Sequence, residues 1–328
     1  MSLFPLHTRR LHTKNLCQCI FIMVGIETQN RIIYELLNQR FSDIKSGQEP
    51  KKICHDFCDF DGVIFNLINE NGNRKLILLS IHLKYFKELK EYGAMDVLKR
   101  IYGNYLLQKP IESYDVTLRY DLDTIPDDYQ DIINKASLLK RNCFAAVFEK
   151  YFKLQQSGEV IKEQAVIHYR DDETLYVEAK QDRVTVIIAT QFVDPEDAIY
   201  GNIFLQEYVE GRKVNKTSPQ IIFSNGKPPA EMANITTPLI NDENVFYVAF
   251  ILEKRHTAAN VMENTIDLIH IFRDDLHYHI KCSRRYVHSR MVKKADEFVK
   301  IIERGRIEKN VANNSQNQVK KGLVRRNF

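Results

Sequence analysis

The alternation of apolar and polar positions divides the chain into two stretches that carry their elements in a similar order. Across 26–41 apolar residues recur at Ile26, Ile33, Leu37 and Phe41, the helical period, which predicts an amphipathic helix ended by a polar loop at 42–52. Three short β-rich runs follow at 53–60, 63–68 and 75–82, separated by Asp61-Gly62 and by Asn69-Glu70-Asn71-Gly72. Turn residues at such short spacing predict an antiparallel meander. A helical stretch at 84–102, extended segments near 105–107 and 114–120, and a helical run from 127 to about 156 complete the first stretch.

The second stretch repeats the order in part. Strands are predicted at 165–169, 175–179 and 184–191, then around 203–209 and 221–223, and again at 245–252, before a long closing helix. Repetition of architecture over so long a period, without a residue-level repeat, predicts duplication of one α/β domain. The predicted fold is α+β: two tandem, similar two-layer α/β domains, each an antiparallel sheet packed on helices, with a long C-terminal α-helix. The domains are placed at 23–135 and 136–305, the second including the long helix. Residues 1–22 are expected to be an N-terminal extension and 306–328 a polar basic tail, both disordered.

The closing segment is the most informative. Between Lys254 and Arg304 there is neither Gly nor Pro, and about fifty residues of helix would run roughly 75 Å at 1.5 Å per residue. At about 100° per residue, Ile269, Phe272, Leu276, Ile280, Val287, Met291, Phe298 and Ile302 fall within one stripe about 120° wide. The inner part can pack on its own sheet, whereas the outer part must find another surface, most simply a second long helix. The alternative is two shorter helices folded back within the domain. Lys281, Arg285, Lys293, Lys300 and Arg304 lie broadly on the opposite arc, either as a solvated face or as an attraction for an acidic surface.

Charge sharpens that picture. The chain has 328 residues and a formal charge of only +4, yet residues 281–306 hold nine Lys or Arg against three Asp or Glu. The length favours two domains, long enough to fold without metals or bridges. Six cysteines, Cys17, Cys19, Cys54, Cys58, Cys143 and Cys282, are scattered, which fits free thiols in a reducing compartment. The longest apolar run, at 19–26, falls short of the roughly 20 residues that span a bilayer. Residues 1–22 contain Arg9, Arg10, Lys14, His7 and His12 and no acid, which resembles a transit peptide. The reading preferred here is an additional leader, with Met23 as a natural later start.

Candidate chemistry is sparse. Cys58-Asp59-Phe60-Asp61-Gly62-Val63-Ile64 matches the opening motif of haloacid dehalogenase-type phosphatases, in which the first Asp is the nucleophile and the second the general acid. That alternative function needs the motif at the end of a buried parallel strand. Here Lys51, Lys52, His55 and Asp56 precede it, and Asp61-Gly62 leads straight into another strand, as a hairpin turn would. A double Asp59→Asn/Asp61→Asn change is expected to abolish a phosphatase and to leave the assembly of a scaffold largely intact. Of the C-terminal histidines His270, His277, His279 and His288, the pair two apart, His277 and His279, points about 200° around the helix and cannot share an ion. His279 and Cys282 could, but two ligands do not make a site, and Cys54 with Cys58 has no second ligand pair. Cys143 reads as a core thiol. Neither GxGxxG nor GxxxxGK[ST] occurs, and no nucleic-acid reading motif accompanies the charge. The reading is therefore no enzyme, no cofactor and no metal.

Four segments then resemble one family closely: Asp59-Phe60-Asp61-Gly62-Val63, the run from Leu139 to Phe144, Val147 to Phe152, and Ala165 to Thr174. The runs Asn264 to His270 and Tyr278 to Ser283 resemble it too. The family is subunit 2, the 34 kDa subunit, of the actin-related protein 2/3 (Arp2/3) complex, and the resemblance covers about residues 23–305 collinearly. It implies tandem α/β domains without enzymatic activity, and a C-terminal helix paired with that of subunit 4 as the core around which the two actin-related proteins are arranged. It also implies contact with the side of the mother actin filament when a branch is nucleated, in the cytoplasmic actin cytoskeleton. The family offers no short catalytic signature, so the stripe is assigned to the subunit contact and the basic arc to the filament by geometry alone.

Overall fold

The structure is a computed structural model, and it describes residues 27–59, 61–159, 163–214, 217–232 and 244–324. Ile26, Phe60, Cys17, Cys19 and the expected 1–22 extension lie outside the described residues. Residues up to His277 form one compact unit, and Tyr278 onward form a second, the outer part of the last helix.

The first helix, α1 (Arg31–Lys45), starts where the Asn30 side chain accepts the Ile33 amide, and buries Ile33, Leu37 and Phe41 as the period requires. It runs past the predicted end at 41: Ile44 prolongs it, and the chain leaves the helix only at Gly47, whose φ of 76° suits glycine. The meander follows as β1 (Cys54–Cys58), β2 (Ile64–Asn69) and β3 (Leu76–His82). The predicted helix at 84–102 is two, α2 (Phe86–Glu91) and α3 (Ala94–Tyr102), broken at Gly93 with φ 90°. Strand β4 (Val116–Asp121) then returns beside β3, giving an antiparallel sheet of order β1-β2-β3-β4. The segment at 105–107 contributes a single bridge, Leu106 to Leu118. The run predicted to 156 is also two helices, α4 (Gln130–Ser137) and α5 (Leu139–Ser157).

The second sheet contains β5 (Ala165–Arg170), β6 (Glu173–Ala179), β7 (Arg183–Gln191), β8 (Gln220–Asn225) and β9 (Val245–Glu253), in the antiparallel order β5-β6-β7-β9-β8. In both sheets the third meander strand pairs with a strand that returns after a helical excursion, β3 with β4 and β7 with β9. That shared topology is the tandem α/β architecture, with β8 added at one edge.

One predicted strand is wrong. Residues 203–209 lie inside α6 (Pro195–Val214). Proline is tolerated in a first helical turn, the Asp194 side chain accepts the Glu196 amide at 2.9 Å, and Glu196 and Asp197 complement the helix dipole. Phe204 and Tyr208, four apart, stack at 6.1 Å, and Leu205 is fully buried. Helical packing decides what β-branched composition misread.

Helix α5 is buried nearly all round from Leu139 to Phe152, which requires protein on every side. It packs against α2, α3 and α4 of the first half and against β6 and β7 of the second. The free edge of β5 is covered as well: Tyr92 Oη accepts the Val166 amide at 3.3 Å and Glu88 accepts that of His168 at 2.8 Å. The closing helix starts later than predicted. Lys254–Thr257 form a short helix, α7, the chain turns at Ala258, and α8 runs from Met262 to Val324. Thr265 Oγ1 donates to the His256 carbonyl across that turn at 2.6 Å. The helix is continuous through Gly305, into the segment 306–328 expected to lack structure. The two-helix alternative does not hold for it.

Candidate interaction surface and its ionic anchor

The dehalogenase-like segment is a hairpin turn. Asp59 and Val63 pair through the main chain at 3.0 Å, Gly62 takes φ 75°, and Asp59 Oδ1 accepts the amides of Asp61 and Val63 at 2.9 and 3.0 Å. This turn aims Asp61 inward, where its side chain is 1% exposed. There Asp61 accepts from Lys140 on α5, from Arg170 on β5 at 2.6 Å, from Arg273 on α8 and from Tyr169 Oη at 3.2 Å. Glu173, equally buried, accepts from Arg273 Nε, from the His277 ring and from Thr190 at 3.1 Å. The Arg273 guanidinium also lies 4.1 Å over the Tyr169 ring.

Electrostatics follow from that arrangement. Burial alone would raise the Asp61 carboxyl, but Arg273 and Lys140 outweigh it and hold it well below the usual carboxylate range. Glu173 is likewise opposed by burial and brought down to about 2 by Arg273 and His277. Asp274 is raised to about 6, first by burial and then by Asp61 and Asp59. His270 is lowered to about 3, chiefly by burial and then by Lys140. Burial also pushes the Cys143 thiol up, as befits a core thiol.

Such a cluster is a structural anchor and a poor phosphoryl-transfer site. Asp59 is 17% exposed with both carboxylate oxygens engaged, and Asp61 is sealed beneath it. The double change Asp59→Asn/Asp61→Asn, expected to leave the assembly of a scaffold largely intact, strikes a buried partner of three cations in Asp61. Sequence reasoning missed this role because its partners lie 79, 109 and 212 positions away.

Helix α8 divides the predicted stripe. Ile269, Phe272, Leu276 and Ile280 are buried, and Phe272 meets Phe250 edge-on at 4.9 Å and Tyr208 at 5.0 Å. These four are already covered by this chain, which corrects their assignment to a partner. Val287, Met291, Phe298 and Ile302 are exposed, Met291 and Phe298 each at 66%. Ile301 is exposed on the same stripe, and Val292 and Val299 are exposed on the arc toward Lys281 and Arg285. A four-three heptad register through Val287, Met291, Phe298 and Ile301, interrupted by Lys294, was the signal that would have included Ile301. Lys281, Arg285, Lys293, Lys300 and Arg304 are all exposed. Among the described residues no helix is long and apolar enough to cross a membrane.

Comparison with known proteins accords with this non-catalytic picture. The model of the family "Arp2/3 complex, 34 kD subunit p34-Arc" matches residues 79–309. Over 306 residues the chain is 36% identical to actin-related protein 2/3 complex subunit 2 of Schizosaccharomyces pombe, covering 87% of this chain and 94% of that protein. Over 286 residues it is 33% identical to the subunit of the same name from Dictyostelium discoideum, with the same coverage of 87% and 94%. A buried ionic anchor, an exposed helix with an apolar stripe and a match of this extent lead to one conclusion: the chain belongs to the p34-Arc family, the 34 kDa structural subunits, not enzymes, of the Arp2/3 complex.

Proposed function

We propose that this chain is the scaffold subunit whose outer α8 pairs with a long helix of subunit 4, and whose basic arc holds the complex to the side of an actin filament during branch nucleation. The observation that carries the reading is the exposed run of Val287, Met291, Phe298 and Ile302 on one helix that also bears nine basic residues between 281 and 306. Large apolar side chains at this spacing left in water drive association, and a second helix covers them with knobs-into-holes packing. On the opposite arc, Lys281, Arg285, Lys293, Lys300 and Arg304 complement an acidic filament surface and speed encounter with it. The mechanism is mechanical: the heterodimer supports the two actin-related proteins and fixes branch geometry in the cytoplasmic actin cytoskeleton. The division into a first domain at 23–135 and a second at 136–305 is part of the same proposal.

The experiment is co-expression with and without a subunit 4 homologue, then size exclusion with light scattering and filament co-sedimentation across a salt series. A one-to-one heterodimer that pellets with filaments and releases as salt rises is expected. A well-behaved monomer that ignores both subunit 4 and filaments would refute the reading.

A further inference from the structure

We propose that the outer face of α6 is a second interaction surface, fitted to a basic amphipathic helix of another protein in the complex. It rests on the chain being a subunit of that complex, and it is separate from the surface on outer α8. Helix α6 turns Leu205 into the core and leaves Ile199 and Ile203, one helical turn apart, 61% and 54% exposed. Val193, just before the helix, is 87% exposed. A solvated helix face ordinarily carries polar residues at such positions, and two isoleucines four apart form the kind of ridge that a facing helix covers.

Beside the ridge lies a groove of about 420 Å³, walled by Pro195, Ala198, Ile199 and Asn202 and closed by Asn225 and Phe246 from the ends of β8 and β9. The ridge therefore has both an apolar crest and a trough with amide side chains at its edge. Such a surface accepts side chains from a facing helix, with hydrogen-bonding groups at the rim.

Charge selects the occupant. Residues 193–214 contain five Asp or Glu against two Lys or Arg, Arg212 and Lys213, the opposite sign of balance from 281–306. Glu196, Glu207 and Glu210 are exposed, and at about 100° per residue they fall on the arc that holds Ile199 and Ile203. An acidic helix face with an apolar crest is complementary to a helix with aliphatic residues one turn apart flanked by lysine or arginine. It repels acidic partners, including the acidic filament surface proposed for the basic arc of α8.

The test uses the assembled complex. Wild-type chain and an Ile199→Glu/Ile203→Glu variant are reconstituted with the other subunits, incorporation is checked by size exclusion, and carbodiimide cross-linking with mass spectrometry locates carboxylates in contact with amines. Both chains are expected to enter the complex through α8. Glu196, Glu207 or Glu210 of the wild type is expected to join to a lysine of another subunit, with yields at least tenfold lower in the variant. Entry into the complex with no such cross-link, or with cross-links only to lysines of this same chain or a second copy of it, overturns the proposal alone. A wild-type chain that enters no complex overturns the subunit reading together with it. Circular dichroism of the free variant checks that it folds, and single Ile203→Lys, which places a cation on the ridge where the basic partner would sit, is expected to lose the same cross-links if the double variant does not fold.

Discussion

Arg273, near the start of α8, donates through Nη1 to Asp61 in the first hairpin, 212 positions earlier, while its Nε donates to Glu173 on β6. One guanidinium thus ties the base of the long helix to both sheets. Lys140 and Arg170 approach the same Asp61 carboxylate from α5 and β5, so three separate elements converge on the tip of one turn. Charge-assisted hydrogen bonds with fixed geometry hold the start of α8 to both sheets.

Removal of the shared carboxylate should show how much depends on it. Asp61→Asn leaves Lys140 and Arg273 buried beside a neutral amide, and breaking a buried ion pair from one side costs about 3–5 kcal/mol. Urea unfolding should record a large drop in midpoint, with Asp59→Asn much milder because Asp59 is partly exposed. A variant Asp61→Asn as stable as wild type would refute the anchor.

Asp274 should give stability the opposite pH dependence from an ordinary ion-paired carboxylate. Its folded-state value of about 6 lies above the unfolded value of about 3.9. The folded chain therefore holds a proton that the unfolded chain has released, so this contribution is full below about pH 4 and is lost as pH rises through about 6. Asp274→Asn abolishes the effect, and relative to wild type it should gain on the order of 1–3 kcal/mol between pH 4 and 7. Parallel unfolding curves at each pH supply the measurement, and a constant difference would contradict it.

His270 should act in the other direction on the acid side. Held neutral by burial down to about pH 3, it binds a proton in the unfolded chain from about pH 6.5 downward. Its stabilisation is complete above about 6.5 and is lost as pH falls toward 3. His270→Phe, which keeps a ring beside Phe144, should reduce the slope of unfolding free energy against pH by up to one proton over that interval. An unchanged slope would remove His270 from the account of acid sensitivity.

The two halves of the α8 stripe should separate in their phenotypes. Leu276→Ala opens a cavity in the core and should cost about 2–5 kcal/mol. Met291→Ala/Phe298→Ala alters exposed positions, so stability should stay within about 0.5 kcal/mol per site while capture of subunit 4 weakens at least tenfold. Calorimetry and a pull-down with purified subunit 4 would distinguish them, and an undiminished pull-down would count against the stripe.

Reversing charge on the arc should affect filaments alone. Lys293→Glu/Lys300→Glu removes two exposed cations without touching the core, so thermal stability should hold while filament co-sedimentation falls and loses much of its salt dependence. Binding that stays as strong and as salt-sensitive as wild type would move the filament contact elsewhere.

What the sequence determined by itself is local. The meander was legible because short β-rich runs and the turn residues between them, such as Asp61-Gly62, act over a few residues, and the stripe on α8 was legible because a helix repeats every few positions. Breaks at Gly93 and before α8 were missed, since a helical period continues through positions where the backbone turns. Residues 203–209 were misread because a short apolar run suits either a strand or a helix face until packing chooses. Only the tertiary structure decided that Ile269 to Ile280 lie in the core and Val287 to Ile302 in water, and that Asp61 is the meeting point of three cations. Burial and ion pairing depend on residues brought together from distant parts of the chain, and no local period records which ones will meet.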